Sequence, residues 1–444
     1  MEVHFLSSRS QLNKGFEYMK INFIEELRWR GMLHDMIPGL EEHLNKEMTV
    51  AYIGFDPTAP SLHIGNLAAI MLLKHFQLAG HKPIALVGGA TGMIGDPSGK
   101  SAEREFLSEQ TLRDNQIGIQ KQLENFLEFG AGVNSAELVN NYDWFKEFSF
   151  LGFLREAGKF LTVNYMMSKD SVKTRLETGI SFTEFSYQLL QGYDFYHLYK
   201  TKNVRLQMGG SDQWGNITTG TELIRRKEAG DAFAFTCKLI TKSDGTKFGK
   251  SEGGNIWLDP AKTSPYQFYQ FWLKLSDADV VNMAFVFSFK EVAAIKELVT
   301  QQEAAPHLRI LQKELAKEMT ILVHGEAAYE FALKASEILF APTTLETLQS
   351  LSEAQLLDVL EGVPQVQGVM AELEQGLELI TFMADQKIVN SKGDARKLIQ
   401  NGGVAINKQK VGVEQTQINT SDLLNQKYLL IQKGKSNYYL AVFN

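Results

Sequence analysis

YIGFDPTAPSLHIGN, Tyr52 to Asn66, joins a short apolar strand to a long helix through a loop suited to phosphate. Thr49 to Phe55 is apolar and rich in β-formers, and Pro57 and Pro60 stop it. From Ile64 the residues Leu67, Ile70, Met71 and Leu78 recur at helical spacing up to Gly80. Pro83 to Val87 is a second apolar run without polar alternation, the pattern of a strand covered on both faces. The spacing predicts a βαβ unit, and with it an α/β fold built on a parallel sheet. His63 is expected in the first helical turn, where unpaired N–H groups and the positive helix end favour an anion. Gly65, lacking a side chain, lets a flat base or a ribose lie against the backbone. A histidine that only caps its helix would occupy the same place.

Composition bounds the rest. A chain of 444 residues has room for two to four domains. With 44% hydrophobic and 22% charged residues it is an ordinary globular sequence. The single cysteine, Cys237, excludes an intramolecular disulfide and a multi-cysteine zinc site, which points to a reducing cytoplasm. It reads as a small buried hydrophobe. Met1 to Tyr18 carries Glu2, His4, Arg9 and Lys14 without a continuous apolar core, so no secretory signal is expected there. Met19 offers a second start, and residues 1–20 read as a loosely attached N-terminal extension. No run reaches membrane-spanning length, and no membrane partner is expected. The net charge of −7 argues against indiscriminate polyanion binding. Its distribution is uneven: 343–378 holds seven acidic residues and no Lys or Arg, whereas 381–444 holds nine Lys/Arg against four Asp/Glu, 9 − 4 = +5. A basic module after an acidic stretch suggests a nucleic-acid contact at the C-terminal end.

Five further segments bear on fold and chemistry. Glu25 to Gly39 is expected to be one short helix closed by Pro38 and Gly39. Gly88 to Arg104, GGATGMIGDPSGKSAER, invites a P-loop reading, but Gly95 and Gly99 enclose only Asp96, Pro97 and Ser98 where that motif needs four residues. Asp96, Lys100 and Arg104 still offer one anion and two cations at a sheet edge, although a charged surface turn reads equally well. Over Gly179 to Lys200, Phe182, Phe185, Leu189, Tyr193 and Tyr196 form one helical stripe, expected to face the core. Tyr187, Gln191 and Asp194 form the opposite one, which faces either water or a pocket for a small polar ligand. Val204 to Met208 is a strand entering GGSDQWGN, Gly209 to Asn216, where Asp212 is placed to hold ribose hydroxyls. Thr241 to Ser251, TKSDGTKFGKS, sets Lys247 and Lys250 in a Gly-rich loop suited to a cationic clamp on the β- and γ-phosphates of ATP, although taken alone the pentapeptide KFGKS reads more readily as a solvated basic loop.

HIGN at His63 to Asn66 and KFGKS at Lys247 to Ser251, in that order, resemble the two signatures of class I aminoacyl-tRNA synthetases, usually written HIGH and KMSKS. The segments YIGFDPT, GGATGMIGDPSGK, NNYDW, SFTEFSYQLLQGYDF and GGSDQWGN are similar to the bacterial, tyrosine-specific branch of that family, and the likeness runs from about Ile21 onward. It implies that Tyr52 and Asp194 bind the phenol of L-tyrosine, that Asp96, Tyr187 and Gln191 hold its ammonium group, and that Gln213 lies near its carboxylate. Thr58 and His63 would meet the γ-phosphate, and Asp212 and Asn66 the ribose. Gly54, Asp56, Gly65 and Gly210 would line the nucleotide site, with Lys100, Arg104, Lys247, Lys250 and Ser251 on the departing pyrophosphate. The family usually carries a second His where Asn66 stands, which implies altered ATP affinity rather than inactivity. The implied substrates are L-tyrosine, ATP with Mg2+ and tRNA(Tyr), with no tightly bound protein-ligated metal and no DNA. A cytoplasmic homodimer is likewise implied.

The expected architecture is an N-terminal extension (1–20), a Rossmann-like parallel-sheet catalytic domain (21–255), an α-helical anticodon-side domain (256–342), an acidic linker (343–378) and a small α+β RNA-binding domain (379–444). Pro265 to Phe340 is helical in pattern, broken near Ser276 and Pro306. Ser391 to Val411, SKGDARKLIQNGGVAINKQKV, resembles a small RNA-binding fold first known from a ribosomal small-subunit protein, and would present Lys392, Arg396, Lys397, Lys408 and Lys410 to phosphate. The tryptophan-specific sister branch and a synthetase-derived, non-catalytic RNA-binding protein are the alternatives.

Overall fold

Val50–Phe55 (β2) and Lys82–Val87 (β3) pair in parallel, joined by the helix Ile64–Leu78, which places the predicted βαβ unit in the middle of a six-stranded sheet. The computed structural model describes residues 21–96, 108–176, 179–243, 245, 248–251, 254–340, 345–360, 362–414, 416–434 and 437–444. The remaining strands are Leu33–Met36 (β1), Glu137–Asn140 (β4), Val204–Gly210 (β5) and Phe233–Cys237 (β6), in the order β1-β6-β5-β2-β3-β4. β2 to β6 are mutually parallel, and only the edge strand β1 runs antiparallel, against β6. The chain runs outward from β2 through β3 to β4, then returns to the other side of β2 for β5 and β6. The crevice between β2 and β5 is therefore the switch point at which doubly wound sheets bind ligands beyond the carboxyl ends of their strands. Ile84, Ala85, Leu86 and Val87 are all buried, so both faces of β3 are covered.

Two sequence expectations need correction here. Glu25–Gly39 is not one helix: it runs Phe23–Trp29, Gly31 takes φ +69°, and Leu33–Met36 becomes β1. The unpaired edge of β6 recruits that segment. Arg30, the C-cap, is buried and donates to the carbonyls of Phe285 (2.9 Å) and Ser288 (2.5 Å), so the chain must turn at this point. The second correction concerns Phe182–Lys202. Gly179 at φ +91° keeps the helix from starting earlier, a Ser181/Glu184 capping box starts it, and Asn203 in the left-handed region ends it. Phe182 sits in the first turn and is 68% exposed, so the apolar stripe does not all face the core.

The described chain divides into two units, one running up to Asp259 and including Leu275–Leu315, the other comprising Pro260–Lys274 and Ala316–Asn444. The sheet belongs to the first. Helices cover Pro265–Leu273, Asp277–Phe287, Val292–Ala304, Ile310–His324 and Glu326–Phe340, with breaks at Ser276, which caps the second, and at Pro306. Short ladders pair Lys250–Ser251 (β7) with Gly254–Asn255 (β8), and Leu377–Glu378 (β10) with Gln417–Ile418 (β13). In the second unit, Gln365–Gly368 (β9), Val404–Ile406 (β11), Gln409–Lys410 (β12), Tyr428–Lys433 (β14) and Asn437–Phe443 (β15) form a sheet in the order β12-β11-β14-β15-β9. The acidic stretch is thus structured where it is described. It supplies β9, parallel to β15, and the helices Leu345–Gln349, Glu353–Val359 and Met370–Glu374, anchored by buried Leu348, Leu356, Leu360 and Leu373. Leu379, Met383, Ile399, Val404, Leu429 and Ile431 form the core beneath that sheet. No helix among the described residues is long and apolar enough to cross a membrane.

Candidate active site

Tyr52 lies in register with Ile84 of β3 and Gln207 of β5, at the switch point. Its side chain is 1% exposed, its ring meets Phe195 edge-on at 5.6 Å, and its hydroxyl has no protein partner. A buried hydroxyl left this way in a native fold calls for an explanation. Asp194, also buried, accepts from Asn141 Nδ2 on Oδ2 (3.1 Å) and from Trp144 Nε1 on Oδ1 (2.9 Å). Burial pushes its carboxyl up to about 8; the two donors pull the other way, and Asp56 adds to the rise. The Tyr52 phenol is held well above its ordinary value, first by burial and then by the negative Asp194. An orphaned phenol and a buried carboxyl thus lie within electrostatic reach of each other in the protein interior.

Asp56, just beyond the end of β2, is the hub of the remaining network. Its Oδ2 accepts from the Tyr187 hydroxyl at 2.9 Å and its Oδ1 from Thr91 Oγ1 at 2.8 Å. Thr91 Oγ1 accepts in turn from Asn141 Nδ2 (3.1 Å), and Asn141 Oδ1 from the Ala90 N–H (2.7 Å), so the two carboxylates are joined through Thr91 and Asn141. Burial, then Asp56 and Asp96, keep the Tyr187 phenol protonated far above neutrality. Gly88 makes this possible: a Cβ there would stand 2.3 Å from both Asp56 Oδ1 and Thr91 Oγ1. Asp96 accepts from Gln213 Nε2 at 2.7 Å and from Asn216 Nδ2 at 3.5 Å. Gln213 occupies the N-cap position of the helix Trp214–Glu228 without a side-chain capping bond, and Asp212 lies in the preceding turn. Gln191 is half-buried, one turn before Asp194 on the same helix.

His63 is the N-cap of its helix and not a residue of the first turn. Its Nδ1 accepts from the Gly65 N–H at 3.0 Å, and Asn66 Oδ1 accepts from the His63 N–H at 3.1 Å. An accepting Nδ1 places the ring proton of a neutral imidazole on Nε2. The structure shows the capping reading, with Asn66 completing the box. Backbone bonds join the first signature to the segment that follows the second: the Ile64 N–H donates to Ile256 O (2.8 Å) and the Leu258 N–H to Leu62 O (2.9 Å), while the Ile256 N–H donates to Gly249 O (3.1 Å). Gly249, at φ +92°, lies where a Cβ would come within 2.5 Å of Ile64 Cγ2. Gly54 and Thr58 are exposed at the end of β2, and Gly210 ends β5. Lys250 and Ser251 form β7, whereas Lys100, Arg104 and Lys247 lie outside the described residues, as does the extension 1–20.

In the second unit Lys392, Arg396 and Lys397 are exposed on the helix Lys392–Gln400, and Lys410 is exposed on β12. Lys408 differs. It is half-buried, its Nζ donates to the Tyr438 hydroxyl (3.1 Å) and lies 4.9 Å from that ring, and burial lowers its ammonium to about 8.

Sequence reasoning missed Thr91, Asn141, Trp144, Gln207 and Asn216. Asn141 follows β4 and Thr91 opens the short helix after β3, so the rule that ligands gather beyond carboxyl strand ends would have found both.

The sequence profile of the tRNA synthetases class I (W and Y) matches residues 44–341, and that of the tyrosine--tRNA ligase SYY-like C-terminal domain matches residues 355–441. The chain is 63% identical over 426 residues to the tyrosine--tRNA ligase of Cytophaga hutchinsonii, covering 95% of this chain and 100% of that protein. It is 61% identical over 428 residues to its counterpart from Porphyromonas gingivalis, with the same coverage. Among solved structures it is similar to a C-terminally truncated mitochondrial tyrosyl-tRNA synthetase of Aspergillus nidulans, with TM-score 0.65 and 28% identity, over 74% of this chain and 97% of that one. The corresponding enzyme of Coccidioides posadasii gives TM-score 0.62 and 31% identity, over 73% and 93%. With these matches over nearly its whole length, the chain belongs to the class I tRNA synthetases of the W and Y group, and within them to the bacterial-type tyrosyl-tRNA synthetases.

Proposed function

We propose that this protein activates L-tyrosine with MgATP and transfers it to the 3′ end of tRNA(Tyr). The reading rests above all on Tyr52 and Asp194: a partnerless buried hydroxyl beside a buried carboxylate suits a substrate phenol, which can accept from one and donate to the other. Asp96, Tyr187 and Gln191 then hold the ammonium group and Gln213 lies at the carboxylate end. A carboxylate oxygen of tyrosine attacks the α-phosphorus, the bond to the β-phosphate oxygen breaks, and pyrophosphate leaves. The terminal ribose hydroxyl of the tRNA next attacks the carbonyl carbon, and AMP departs. No covalent enzyme intermediate is required, so the protein contributes position and charge.

The His63 helix terminus, Thr58 and the lysines of KFGKS take the phosphates, with Lys100, Arg104 and Ser251 beside them. Gly54, Asp56, Gly65, Asn66, Gly210 and Asp212 line the nucleoside. Magnesium enters with ATP. Lys392, Arg396, Lys397 and Lys410 face tRNA phosphates, and Lys408 braces the hairpin that carries Lys410. The enzyme acts as a cytoplasmic homodimer, a reading supported by exposed Phe150, Leu151, Val163 and Phe182 in the first unit. The test is exchange of labelled pyrophosphate into ATP with tyrosine, tryptophan or phenylalanine, on wild type and Lys247→Ala. Tyrosine-only exchange, weakened in the variant, supports the proposal. Tryptophan-driven exchange, or none with retained tRNA binding, overturns it.

A further inference from the structure

Trp144 donates its indole N–H to Asp194, but a single hydrogen bond does not fix a ring that can still rock about its own side-chain torsion. A second restraint comes from His197. The helix Phe182–Lys202 brings Asp194 and His197 onto one face, one turn apart, and the short helix Tyr142–Phe145 after β4 lays Trp144 across both. The imidazole stacks on the indole with ring centroids 4.4 Å apart and planes 15° from parallel. Phe145 approaches the same indole at 6.4 Å and 45°, a looser contact. His197 is half-buried, and its imidazole is held below its ordinary value by burial and then by Lys202, so at neutral pH it stacks as an uncharged ring.

We infer that His197 is a positioning residue for tyrosine recognition: its imidazole clamps the Trp144 indole flat, and the indole N–H thereby holds the Asp194 carboxylate on the substrate phenol. The inference rests on the tyrosine-binding reading of Tyr52 and Asp194. His197 touches neither Asp194 nor substrate in this scheme, and no proton or bond changes hands at it. Its effect is on ground-state geometry at the phenol, remote from the phosphates.

The test compares wild type, His197→Ala, His197→Leu and His197→Phe in tyrosine-dependent pyrophosphate exchange, with thermal unfolding as the check on folding. Losing the stack should raise KM for tyrosine roughly two- to tenfold in the Ala and Leu variants, the range expected for one aromatic pair. kcat and KM for ATP should stay within about twofold of wild type, and the preference for tyrosine over phenylalanine should fall in step. His197→Phe, which keeps an aromatic face, should restore KM and preference. Leu fills the space without a π-face, so it carries the test if Ala does not fold. An unchanged KM for tyrosine in both non-aromatic variants, or a His197→Phe enzyme no better than His197→Leu, overturns the inference while leaving the proposed function intact. A wild type that exchanges no pyrophosphate with tyrosine removes both.

Discussion

Tyr187 and Asp56, 131 positions apart, share a 2.9 Å hydrogen bond that ties the polar face of the helix Phe182–Lys202 to the loop after β2. The phenol donates and cannot ionise near neutrality, so Asp56 is held as an acceptor whose other oxygen is engaged by Thr91. The hydrogen bond thus makes the proposed amino-acid site and the loop proposed to lead to the nucleotide mechanically one. Tyr187→Phe and Asp56→Ala should each weaken tyrosine-dependent exchange. In a double-mutant cycle they should couple by about 1–3 kcal/mol, the range for a buried hydrogen bond to a charged group. Additive effects would mean that the two residues act separately.

The orphaned Tyr52 hydroxyl makes a prediction of opposite signs. In the ligand-free protein it is desolvated without a partner, so Tyr52→Phe should leave stability unchanged or raise it by up to about 1 kcal/mol. With tyrosine bound, the same change removes a hydrogen bond, so the upward shift of the unfolding temperature by saturating tyrosine should shrink. Thermal unfolding with and without tyrosine checks both. A variant that is destabilised without ligand and unaltered in its response to ligand would remove Tyr52 from the phenol site.

Asp194 should make stability fall with rising pH. Its folded value of about 8 lies above the ordinary 3.8, so between those values the folded protein keeps a proton that the unfolded chain has released. Stability from this group is full below about pH 4, declines through the window by up to about 1.4 kcal/mol per unit, and is gone above about 8. Asp194→Asn, which cannot titrate, should flatten the profile. Urea unfolding of both proteins at pH 5, 6, 7 and 8 gives the two slopes; parallel profiles would mean that Asp194 is ionised throughout.

What was legible in the sequence was local. Tyr52 to Asn66 announces a strand, a stop and a capped helix through residues that act on their immediate neighbours, and all three are present. The opposition of Tyr187 and Asp194 to Leu189 and Tyr193 follows from helical period alone. Long-range relations were not legible. Nothing within Leu33–Met36 specifies a strand until the open edge of β6 lies beside it, and nothing in NNYDW tells that Asn141 and Trp144 converge on one carboxylate, 53 and 50 residues onward. Over 345–378 the sequence holds seven acidic residues and no Lys or Arg, yet widely spaced apolar residues, among them Leu348, Leu356, Leu360, Val363 and Leu373, are buried.

Arg175 and Glu184 form the most completely buried ion pair in the first unit among the described residues, with side chains 7% and 3% exposed and bonds of 2.8 and 2.9 Å. Arg175 also donates to Gly179 O (3.1 Å), and Glu184 completes the capping box that starts the helix bearing Tyr187 and Asp194. Taking both charges out of water costs about as much as their attraction returns, so the pair is not valuable as a pair; what is expensive is half of it. Arg175→Met or Glu184→Gln alone should cost about 3–5 kcal/mol, because a charge is left buried without its partner. The double variant Arg175→Met/Glu184→Leu should recover most of that stability. It also removes the Glu184 half of the cap, worth about 1 kcal/mol, so full recovery is not expected. Because the fraying helix end lies at the N-terminal side of the polar stripe, KM for tyrosine should rise in the double variant even where its unfolding midpoint has returned. Urea unfolding and exchange kinetics on the three proteins read the two effects apart. Single variants as stable as wild type would show that water reaches the pair.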